Sequence, residues 1–200
     1  MLLVTLEGLP HSGRDAVLHT LRRERPAWTF ANTPPDPWSA SPAAAWRIWH
    51  GLLRKVRAVG AGGKADVLVL SAPWFEHVPR HPAVCKLARA MTAELVTTLT
   101  AAAGVKVAAH VMVHLLTPRD ESFEQMVCSG ATAHNATTLE DLRCEQVRVA
   151  QELLDAPTHH PFPCAAFTLP CPPFFDDNEV TLAAIARDVR LLVDAVAQGY

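Results

Sequence analysis

The sequence predicts an α/β domain in which helices cover both faces of a parallel sheet of five strands at most. Short apolar runs such as residues 2–6 and 66–70 do not alternate polar with apolar, as strands buried on both faces should not. Segments of helical period separate these runs, the alternation that a parallel sheet requires. The 200 residues are 50% hydrophobic, enough for one substantial core, and neither a repeat nor a linker divides them. Residues 1–200 therefore read as a single domain.

In chain order, residues 2–6 form a first strand. Residues 14–25 follow with helical spacing at Val17, Leu18 and Leu21. Residues 28–30 make a brief strand, and the proline-rich "NTPPDPWSASP" after it is loop, because proline fixes φ and withholds a donor. Residues 43–57 are helical, with Trp46, Trp49, Leu53 and Val56 on one side, and "GAGGK" ends them. "DVLVL" is a compact strand broken by "SAPW". A long helix over 84–102, a strand within 105–116, a helix over 139–154 and a strand over 165–169 come next. An amphipathic helix over 179–196 closes the chain.

A formal net charge of −2 supplies no general basic field for a phosphate backbone, so nucleic acid is not an expected partner. The apolar start, Met1–Leu6, is too short for a signal h-region and has neither a basic start nor a cleavage site. No apolar run approaches bilayer length. With Cys85, Cys128, Cys144, Cys164 and Cys171 odd in number and scattered, free thiols in an intracellular, cytoplasmic chain are expected. The Asn135-Ala136-Thr137 sequon is then coincidental.

The chemistry concentrates in "EGLPHSGRDAVLHTL", residues 7–21. A strand, then Gly8-x4-Gly13, then a helix is the setting of a phosphate-cradling P-loop. There glycines let backbone N–H groups wrap a phosphate, a Lys reaches the β and γ phosphates, and a hydroxyl holds magnesium. Here Arg14 stands for the Lys and Asp15 for the hydroxyl. Arg14 keeps the charge as a larger planar fork. Asp15 would repel polyphosphate by about 4 kcal/mol at 4 Å and an effective dielectric near 20, unless magnesium lies between them. The expected phosphate contacts are Gly8, His11, Ser12, Gly13, Arg14 and Asp15, with Asp15 as magnesium ligand. The alternative is that Ser12 or Asp15 caps the helix and the glycines merely turn the chain.

"LLVTLEGLPHSGRDAVLHTL", "ADVLVLSAPWFEHV" (65–78), "VMVHLLTPRDESFEQM" (111–126) and "TTLEDLRCEQVRVAQELL" (137–154) occur in an order and spacing that resembles thymidylate kinases. The likeness spans nearly the whole chain and is nearest to the compact, lid-poor members of large DNA viruses. It implies a three-layer P-loop NTPase-like fold, ATP- and magnesium-dependent phosphorylation of dTMP to dTDP, and a homodimer. It also implies stations that this chain fills differently. Ser71-Ala72-Pro73 stands where the family has Asp-Arg-Tyr or Asp-Arg-His. "FANTPPDPWS" offers no Arg to the acceptor phosphate. Arg47 takes the place of an Arg on the base-contacting helix. The lid region, 120–142, holds no Lys or Arg but carries Asp120, Glu121, Glu124, Glu140 and Asp141, with Arg119 and Arg143 at its margins.

Losing one transition-state donor costs a factor of a hundred or more, about 2.7 kcal/mol upward. The resemblance therefore implies a kinase fold that is catalytically impaired, acting as a nucleotide-binding or scaffold protein. Arg14 and Ser71 would be the degenerate catalytic positions and Arg47 the substrate contact. A divergent active nucleoside or nucleotide kinase using Arg14, Asp15 and magnesium is the second reading, and a ligand-free interaction module the third. Elsewhere, His159, His160, Cys164 and Cys171 lie close in sequence without paired zinc-ligand spacing. His110 and His114 share one face of their strand, with His114 near the end. Arg54, Lys55, Arg57 and Lys64 read as a solvated helix end.

Overall fold

The computed structural model describes residues 1–8, 13–32, 54, 66–71, 107–116, 147, 163–171 and 179–199. The elements are β1 (Leu2–Gly8), α1 (Arg14–Glu24), β2 (Thr29–Asn32), β3 (Val67–Ser71), β4 (Ala109–Leu116), β5 (Cys164–Pro170) and α2 (Glu179–Gln198). The strands lie in the order β2-β3-β1-β4-β5, and every neighbouring pair is parallel. Expected strands and observed strands agree to within a few residues at their ends. The brief strand expected over 28–30 is shifted, since Trp28 lies outside β2 while Asn32 pairs with Ser71. The helices expected over 43–57, 84–102 and 139–154 lie outside the described residues, save Arg54 and Val147, each in helical conformation.

The apolar run at the chain start explains the centre of the sheet. Side chains alternate faces along a strand, and β1 is buried at every position from Leu2 to Gly8. On one face Leu2, Val4 and Leu6 join Val67 and Val69 of β3 and Ala109, Val111, Val113 and Leu115 of β4. Val17, Leu18 and Leu21 of α1, and Ile185, Ala186, Val189 and Val193 of α2, close over them. The opposite face carries Leu3, Thr5 and Glu7, which pair in register with His110, Met112 and His114. It is buried as deeply, with His110 and Met112 the most accessible of these at 3%. Both faces are thus covered, as the three-layer α/β arrangement requires.

Two ion pairs at the helix edge orient the covering layer. Arg25 Nη2 meets Asp194 Oδ2 at 2.6 Å, and Arg190 Nη1 meets Glu24 Oε2 at 3.6 Å. All four side chains keep contact with water, so each pair contributes at most about 1 kcal/mol. Arg22 and Arg25 also lie over the rings of Phe30 and Trp28, at 5.4 and 5.5 Å from the centroids. This ties the end of α1 to the chain entering β2. Among the described residues no helix is long and apolar enough to cross a membrane.

Burial sets the expected mutational response. Leu6→Ala, at a side chain 0% exposed in the joint core, should lower unfolding free energy by about 2–5 kcal/mol in urea titration. Leu191→Ala, on the outer side of α2, should stay within about 0.5 kcal/mol of the parent.

Candidate functional site

The chain starts in the sheet's middle, builds β2 and β3 on one side, then crosses over to build β4 and β5 on the other. The carboxyl end of β1 therefore lies at the switch point, where an open parallel sheet leaves a crevice between diverging loops. Gly8 ends β1 there, and Gly13 to Arg14 begin α1 above it. Ser71 arrives at the same end, since it pairs in register with Leu6.

Gly13 has φ 76° and ψ 4°, the left-handed region. A residue with a Cβ would cost about 1–2 kcal/mol there, so glycine is required by the turn itself. Its carbonyl accepts the Val17 N–H at 2.9 Å, the first bond of the helix. The alternative of a side-chain cap finds no support among the described residues: Gly13 is the cap residue, with no side-chain cap hydrogen bond, while Ser12 lies outside those residues. The reason is geometric. A left-handed cap residue without a side chain leaves the first N–H groups of α1 facing the crevice, where an anion is the natural acceptor.

Arg14 folds back from the first turn and its Nη1 donates to the Gly8 carbonyl at 3.5 Å. The guanidinium thereby spans the loop from its last residue to its first. Its side chain is 14% exposed, whereas Asp15 beside it is 80% exposed. Arg14 Nε lies 3.9 Å from Asp15 Oδ1, at the limit of an ion pair, and with one partner in water such contacts contribute little. His11, Ser12, Arg47 and the lid region 120–142 lie outside the described residues, as does the side chain of Ser71.

Two groups acquire a place that sequence reading did not assign together. Glu7, one residue before the loop, is 0% exposed and pairs in register with His114, itself 1% exposed. Burial holds the His114 imidazole down at about 4, so it is neutral near pH 7. His110 is accounted for differently: its Nε2 lies 3.0 Å from Thr5 Oγ1, a satisfied core hydrogen bond. The signal for the first pair was the period-two placement of Glu7 with Leu3 and Thr5. Its partner could be named only once the β1–β4 register was known.

The Cys164–Cys171 grouping falls apart in space. Cys164 begins β5 and Cys171 follows its last residue, Pro170, so the length of the strand, about 23 Å, lies between them. Burial pushes both thiols up to about 11, which makes them poor nucleophiles. Among the described residues no group of three or more His, Cys, Asp or Glu side chains could hold a metal ion. His159 and His160 lie outside those residues.

No family model and no curated protein matches the chain. Solved structures do. The YorR protein from Bacillus subtilis, crystallised in complex with phosphorylated GDP, superposes with a TM-score of 0.55 at 12% identity, covering 98% of each chain. Polyphosphate kinase 2 from Arthrobacter aurescens superposes with a TM-score of 0.50 at 15% identity, covering 98% of this chain and 68% of that one. At such identities the likeness establishes the fold alone: a three-layer α/β P-loop fold.

The buried imidazole predicts a pH dependence of stability. Folded His114 binds a proton only near pH 4, whereas the unfolded residue binds one from about 6.5. The unfolded state therefore holds more protons between these values, and stability is lost as pH falls through that window, by about 3 kcal/mol in all. Urea titrations of the parent and of His114→Asn should converge between pH 7 and pH 4, the variant lacking this part of the slope.

Proposed function

We propose that this chain is a nucleotide-binding P-loop protein of thymidylate-kinase-like build that transfers phosphoryl groups weakly or not at all. The observation that carries the reading is Arg14, a mostly buried guanidinium drawn across the loop onto the Gly8 carbonyl. That contact is weak at 3.5 Å. A phosphate oxygen accepts a stronger, charge-assisted bond from the same group. Arg14 would exchange the carbonyl for the β or γ phosphate, and the uncapped N–H groups of α1 would bind the oxygens beside it. The phosphorylated GDP carried by YorR is a ligand of this class.

Weak transfer follows from what the loop lacks. Asp15 replaces the hydroxyl, and Ser71-Ala72 replaces an acid and an arginine. Magnesium, when bound with nucleotide, would neutralise charge between the β and γ phosphates. Asp15 would be its ligand, and being 80% exposed it can turn toward the cation. That freedom also favours a second reading, a divergent kinase in which Asp15 and Arg14 together sustain turnover.

Thermal unfolding with ADP, ATP and dTMP, each with and without magnesium, tests both. ADP with magnesium at 100 times its Kd should add about 2.7 kcal/mol to stability. Arg14→Ala should weaken that binding roughly tenfold or more, as loss of one charge-assisted bond requires. No stabilisation by any nucleotide would end the proposal. Rapid coupled-assay turnover of dTMP, lost in Asp15→Ala, would establish the second reading instead.

A further inference from the structure

We draw no further inference here: the strongest candidate, the exposed apolar stripe of Val180, Ala183, Leu191 and Ala195 along the outer side of α2, is a helix face interrupted by the Arg187–Asp188 ion pair, and nothing in the structure shows what covers it.

Discussion

The confinement of β1 between β3 and β4 is the constraint on which the rest depends. Every residue from Leu2 to Gly8 is buried, and backbone groups on both sides are committed to parallel pairing. A strand so placed has no freedom to slip, because a shift by one residue would exchange Leu2, Val4 and Leu6 for Leu3, Thr5 and Glu7 beneath the helices. That would bury a carboxylate in a wholly apolar contact. The same confinement fixes where β1 ends. Gly8 must emerge at the switch point, and whatever follows it must turn sharply to start α1.

The turn then determines the electrostatics. A left-handed Gly13 gives the helix a bare start, and Arg14 becomes the positive group at the loop's mouth. In a low-dielectric crevice such a charge interacts with an anion more strongly than a surface arginine would. Asp15, one residue on, is 80% exposed and meets Arg14 only at 3.9 Å. Successive helical residues point about 100° apart, so Arg14 is largely covered and Asp15 exposed although their side chains meet at 3.9 Å.

How much of this was legible in the residues varies from element to element. The strands of β1 and β3 were visible because a two-faced buried strand needs a continuous apolar run. Helix α1 was visible from Val17, Leu18 and Leu21. The switch point was not visible: alternation of strand and helix predicts a parallel sheet, whereas the strand order that places the switch beside β1 emerges only in the folded chain. The choice between a side-chain cap and a glycine turn stayed open in the sequence, because Ser and Asp are strong capping types and only the left-handed φ of Gly13 identifies the cap residue. The pairing of Glu7 with His114 was out of reach: the two are separated by more than a hundred residues and meet only through strand register. For Cys164 and Cys171 the sequence already argued against a shared metal, since paired zinc-ligand spacing is missing. The strand expected between them is present as β5, and an extended strand carries its ends apart.

Hydrogen–deuterium exchange across residues 8–16, with and without ADP and magnesium, tests the loop most directly. An anion held by the amides of Gly13, Arg14 and Asp15 must slow their exchange, and the slowing should vanish in Arg14→Ala. Unchanged exchange in this segment at a nucleotide concentration that protects amides elsewhere, or at saturating nucleotide with no protection anywhere, would contradict the account.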